Sequence, residues 1–136
     1  MFTTEGIVAV SDTLTKKIIS AYPELFDDAL GTVLVPEPLT ITTLGPIPII
    51  AEYFLDGSSV GMADEDLLFE KILVNDIDAF LVRHYNGATG TIGRDDCYLE
   101  IFSSLDLSAE LGLVEGSKVS ISLYREQWWG GSQVEF

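Results

Sequence analysis

The chain has 136 residues, with 22 acidic and 7 basic side chains, one histidine and a formal net charge of −15. That length argues for one domain, and a composition of 47% apolar against 21% charged residues supports a packed core and excludes disorder. Four lysines and three arginines make no basic stripe for a run of phosphates, so nucleic-acid binding is not expected; nor does any apolar run approach the roughly 18–20 residues of a membrane span.

Gly6–Val10 (GIVAV) predicts a short apolar strand, and Asp12–Ile19 reads as a loop or an additional helical turn. Ser20–Leu30 predicts a helix, because Tyr22, Leu25, Phe26, Ala29 and Leu30 fall at helical spacing. Pro23 suits its first turn and Gly31 its end. Gly31–Val35 and Ile47–Leu55 predict strands, with Pro48 placing the start of the second at a sheet edge. Asp56–Ser59 is a turn. Asp64–Val74 (DEDLLFEKILV) fits either an amphipathic helix or a helix running into a strand. Asp78–Tyr85 predicts a strand, Asn86-Gly87 a hairpin turn, and Ala88–Ile92 the returning strand. Cys97–Ser103 predicts another strand. Asp106–Gly112 predicts a short helix with Asp106 as N-cap. In Lys118–Tyr124, Val119, Ile121 and Leu123 alternate with Ser120, Ser122 and Tyr124, as on a half-buried strand.

Six or seven short strands with two short helices predict a mainly β fold, a small closed or partly open barrel in which closure removes unpaired edges. Residues 1–125 form this single domain. Residues 126–136 (EQWWGGSQVEF) form an aromatic tail, where Trp128-Trp129 is either a stacking platform or a packing surface.

Cys97 is the only cysteine, so no disulfide forms within the chain. The opening MFTTEGIVAV has no basic n-region, and a cytoplasmic protein is expected. The acidic excess suits a high-salt cytoplasm or an ordinary acidic protein. His84 is the only histidine, so any Ser–His–Asp or Cys–His centre would have to use it, yet no nucleophile elbow accompanies it. Asp95-Asp96 beside Cys97 opposes a thiolate. Asp27-Asp28, Asp64-Glu65-Asp66, Asp76/Asp78 and Asp95-Asp96 offer oxygen ligands to a hard cation or form solvated faces, and none has the spacing of a calcium loop. Lys16-Lys17, between the first strand and the first long helix, reads as a pair of point charges for a phosphate or as a solubilising pair. Neither GxGxxG nor a Walker A sequence is present.

A longer pattern is more specific. Cys97-Tyr-Leu-Glu-Ile-Phe102, then Leu107, then Leu111-Gly-Leu-Val-Glu-Gly-Ser-Lys-Val119 resembles the C-terminal part of the archaeal-type, CTP-dependent riboflavin kinases. Ala79–Ile92 with Arg94 and Tyr98 is similar to that family's strand pair leading to an arginine and a tyrosine. Tyr22–Leu30 followed by Gly31-Thr32-Val33-Leu34-Val35 is similar to its helix and glycine-threonine-leucine-asparagine-valine strand.

The resemblance implies a six-stranded cradle-loop barrel that moves a phosphoryl group from CTP, or another nucleoside triphosphate, to riboflavin, giving FMN with Mg²⁺ as cofactor. It implies Thr32 on the metal side and Glu100 as acceptor from the substrate hydroxyl. It places Gly6, Gly31, Arg94 and Tyr98 around substrate and nucleotide, while Lys16 and Lys17 are candidate phosphate contacts by their charge alone. The chain departs from the pattern where Leu34 replaces the metal-ligand asparagine, where Leu30 replaces a proline, and in the first loop, which has no glycine. Two other functions fit the same barrel: a non-catalytic module binding a small molecule or a protein partner, and an acidic mimic of nucleic acid that blocks a basic protein.

Overall fold

Antiparallel pairing organises almost every strand of the chain in a computed structural model, which describes residues 1–11, 14–93 and 96–125. The strands are β1 (Phe2–Ala9), β2 (Leu39–Thr42), β3 (Tyr53–Leu55), β4 (Glu65–Val74), β5 (Ile77–Asn86), β6 (Thr91–Ile92), β7 (Tyr98–Phe102) and β8 (Lys118–Leu123). The helices are α1 (Leu14–Ala21), α2 (Pro23–Leu30) and α3 (Leu107–Leu111), with a 3-10 turn at Gly57–Val60. Neighbours run β4-β8-β1-β2-β7-β5, and pairing of β4 with β5 closes this set into a six-stranded barrel; β3 adds to the outside edge of β4 and β6 to that of β5. The fold is thus the expected mainly β closed barrel. Among the described residues, no helix is long and apolar enough to cross a membrane. Arg94, Asp95 and the tail with Trp128-Trp129 lie outside the described residues.

Strand alternation sorts side chains between two apolar clusters. Ile72 and Val74 of β4, Ala79 and Leu81 of β5, Leu99 and Ile101 of β7, and Val119, Ile121 and Leu123 of β8 fill the barrel. The opposite faces of the same strands carry Leu67, Phe69, Phe80, Val82 and Phe102, which pack beneath Ile18 and Ile19 of α1 and Phe26 and Leu30 of α2. Gly6 belongs to the barrel interior. A Cβ there would overlap Ile41 Cγ2, so the glycine makes room for a core side chain.

Four local expectations are corrected. The strand after α2 is Leu39–Thr42, not Gly31–Val35. Gly31 takes the left-handed conformation (φ 77°) that caps α2, its N–H donating to Asp27 O at 2.7 Å, and the strand starts only beyond Pro36 and Pro38. Leu34 is buried in the outer cluster, so it is a packing residue. Asp64–Val74 contains no helix and is strand from Glu65 onward; its two buried faces hide the alternation that marks a strand. Lys16-Lys17 stand on α1, the helical alternative for Asp12–Ile19, and the expected Ser20–Leu30 helix is split at Tyr22 between α1 and α2. Only Tyr53–Leu55 of the Ile47–Leu55 stretch pairs as a strand.

The β4–β5 hairpin turns on Asn75-Asp76, whose φ values of 45° and 70° match the primed turns that suit strand twist. The Asn86-Gly87 signal does mark a reversal, but a longer one, with Tyr85 opposite Ile92 and Asn86 opposite Thr91. Asp106 caps α3 as expected, its carboxylate accepting from Ala109 N at 3.2 Å.

One end of the barrel holds charge. Arg83, 2% exposed, donates to Asp96 Oδ1 at 3.2 Å and to the Ile47 carbonyl at 3.1 Å. Glu70, 4% exposed, accepts from Ile50 N at 2.9 Å and from Arg125 Nη2 at 3.0 Å. Burial pushes the Glu70 carboxyl above its ordinary value, while the Ile50 N–H and Arg125 pull the other way. Burial likewise lowers the Arg125 guanidinium, against the opposing pull of Glu70.

Candidate functional site

The outer wall of the barrel carries a polar seam where the chain leaves β1 and enters α1. Thr40 of β2 lies opposite Glu100 of β7, and Glu100 lies opposite Val82 of β5, so these residues share one stretch of wall. His84, two residues beyond Val82, points to the same face. Leu67 of β4 is the register partner of His84, and Glu65 lies two residues before it on the same face.

Hydrogen bonds join these residues to the overlying segment. Ser11 Oγ and Thr40 Oγ1 are 2.7 Å apart. Thr15, in the first turn of α1, donates its hydroxyl to Glu100 Oε1 at 2.8 Å, and its oxygen lies 2.9 Å from His84 Nε2. On the other side of the ring, His84 Nδ1 is 3.1 Å from Glu65 Oε1. A hydroxyl has one proton to give. With that proton directed to Glu100, the Thr15 oxygen meets His84 Nε2 as an acceptor.

Distances alone would suit a hydroxyl–imidazole–carboxylate relay of Thr15, His84 and Glu65. Access rules it out as a nucleophilic centre in this arrangement. Thr15 is 1% exposed and its hydroxyl is already committed to Glu100. Glu100 is half-buried, and its pairing with a hydroxyl is chemically the role expected of it toward a substrate. The chain's own Thr15 fills that role here.

The residues implied by the resemblance fall into separate places. Tyr98 shares the seam's wall with Glu100, and its hydroxyl donates to the Val10 carbonyl at 3.3 Å. Lys16 and Lys17 follow Thr15 on α1; Lys16 pairs with Glu37 at 3.2 Å across the surface, and Lys17 is exposed. Gly31 and Thr32 do not join Glu100. They line a cleft at the end of α2 with Lys71 and Asp78. An ammonium in that cleft opposes a divalent cation, and the Thr32 surroundings do not combine with Glu100 into one oxygen-ligand set. Among the described residues, no group of three or more His, Cys, Asp or Glu side chains is arranged to hold a metal ion. Cys97 is partly buried.

Thr15, Ser11 and Thr40 are the seam residues that sequence reasoning did not single out. Thr15 reaches His84 and Glu100 across 69 and 85 residues of chain, a separation over which spacing carries no signal. No protein-family model matches the chain, and no curated protein sequence matches it.

Proposed function

We propose that the protein binds riboflavin and a nucleoside triphosphate on the seam wall and transfers a phosphoryl group to riboflavin, giving FMN. The observation that supports this reading is the Glu100 carboxylate, held on β7 opposite Thr40 and accepting a hydrogen bond from the Thr15 hydroxyl at 2.8 Å. A substrate hydroxyl taking the place of Thr15 would meet the same acceptor. Glu100 would then receive the hydroxyl proton as the oxygen–phosphorus bond forms and the bond to the departing nucleoside diphosphate breaks. Such positioned proton transfer contributes typically 10²–10⁴-fold, and holding the acceptor oxygen in line contributes more. Lys16 and Lys17, on the turn that carries Thr15, supply positive charge for the nucleotide in a chain of net charge −15. The Mg²⁺ that this chemistry calls for finds no fitting ligand set at Thr32.

One observation favours a second reading, a non-catalytic binding module. Thr15 occupies the Glu100 acceptor from a fully buried position, so a ligand must displace part of α1 before it meets the carboxylate. Incubation with riboflavin, Mg²⁺ and CTP or ATP, followed by chromatography, separates the two. FMN formation that falls at least about 10²-fold in Glu100→Gln supports phosphoryl transfer. Quenching of riboflavin fluorescence without FMN supports the binding module. Neither FMN nor quenching overturns both.

A further inference from the structure

A second site lies away from the seam, in a cleft of about 200 Å³ at the C-terminal end of α2. Tyr53 of β3 and Phe80 of β5 meet edge to face there, ring centres 5.8 Å apart at 82°, and form an aromatic wall. Lys71 is the direct register partner of Phe80, and Asp78 precedes Phe80 by two residues, so both charges project from the same sheet face as that wall. No ion pair joins the two. Among the described residues, neither the Lys71 ammonium nor the Asp78 carboxylate makes a hydrogen bond or ion pair with any other side chain. Leu30, Gly31, Thr32 and Ser104 complete the lining.

Two opposite charges that face one cleft without reaching each other are complementary to a ligand that carries both signs. The end of α2, where helix carbonyls accumulate partial negative charge, also lines the cleft and adds to its attraction for a cation. An aromatic wall favours a ring, and it also favours an ammonium over its face. The volume equals about seven waters at roughly 30 Å³ each, and it is below the roughly 300–1,000 Å³ of pockets that take drug-sized ligands. One ring with a short polar arm fits; a tricyclic flavin does not.

We propose that this cleft binds a single-ring zwitterion of the amino-acid type, its carboxylate on Lys71, its ammonium on Asp78, and its ring against Tyr53 and Phe80. The site does not depend on phosphoryl transfer at the seam, because it shares no residue with the seam; Gly31 and Thr32, which the resemblance implied for nucleotide and metal, line this cleft instead.

The test is an amide NMR titration with phenylalanine, with its deaminated analogue 3-phenylpropionate, and with its decarboxylated analogue phenethylamine. Phenylalanine is expected to shift the amides of Thr32, Lys71, Phe80 and Ser104 saturably, with each analogue binding at least about tenfold more weakly. Lys71→Met should abolish the advantage over phenethylamine, and Asp78→Asn the advantage over 3-phenylpropionate. Asp78 is exposed, so that variant keeps the test open if Lys71→Met fails to fold. Absence of saturable shifts up to about 10 mM, equal affinity for all three probes, or unchanged selectivity in a folded variant would overturn the proposal.

Discussion

The charges inside the barrel and the polar seam on its outer wall are both withdrawn from water, yet they are built differently. Inside, Glu70 and Arg125 form a salt bridge at 3.0 Å while Arg83 holds Asp96 and the Ile47 carbonyl. These groups tie the Ile47–Ile50 segment and the chain after β8 to the barrel end, and both members of the Glu70–Arg125 pair are pushed toward neutrality by burial. Outside, one neutral hydroxyl, Thr15, links a half-buried carboxylate to a histidine, and the element that covers it is an eight-residue helix. The first arrangement resists exchange because each lost partner strands a buried charge. The second can trade one hydroxyl for another. That difference makes the outer wall, and not the barrel interior, the side where one hydroxyl partner can be exchanged for another.

The largest effect is expected at Arg125. Arg125→Ala leaves the Glu70 carboxylate buried without its ion partner, and removing one member of a buried pair destabilises by about 3–5 kcal/mol. Urea unfolding measures it. Thr15→Val should lose less, about 1–2 kcal/mol, because it removes hydrogen bonds to groups that retain other surroundings. Equal losses in the two variants would erase the distinction between the regions.

The smallest effect is expected in the pH dependence that Glu70 sets. Its carboxyl is raised above 4.5, mainly by burial, so the folded chain holds that proton more tightly than the unfolded chain does. The stability contributed by this group is fully present below the unfolded value and is lost as pH rises through the raised folded value. Glu70→Gln leaves the Arg125 guanidinium without its ion partner, a loss that does not vary with pH, but it stays neutral throughout, so its stability relative to the parent should climb across that window by no more than about 1 kcal/mol. A constant difference from pH 4 to 8 would show that burial does not govern this carboxyl.

Much of the architecture was legible in the chain, and the failures have physical reasons. Val119, Ile121 and Leu123 alternate because β8 has one face in the barrel interior, and Asp106 marks α3 because a carboxylate there satisfies a free helix N–H. β4 was illegible because it is buried on both faces, by the barrel on one side and by α1 and α2 on the other. Gly31–Val35 has the β-branched composition of a strand, but its glycine serves the helix before it and two prolines delay pairing. The Asn75-Asp76 turn contains no glycine, so its positive φ values had no strong marker.

At the site, Glu100 was singled out and His84 was weighed as the only histidine. Their meeting through Thr15 depends on the path of the chain over β2 and β7, and no local pattern encodes that path. Thr32 failed to join Glu100 for a related reason. The strand that pairs beside Glu100 begins at Leu39, which gives that place to Thr40.

The exchange of hydroxyls at Glu100 is the centre of this account, and a riboflavin titration followed by fluorescence tests it directly in the parent chain, Thr15→Val and Glu100→Gln. If a ligand hydroxyl competes with Thr15 for the carboxylate, removing the Thr15 hydroxyl should tighten riboflavin binding by about tenfold, one hydrogen bond's worth, and Glu100→Gln should weaken it. Unchanged affinity in both variants, or no binding by the parent chain, would contradict it.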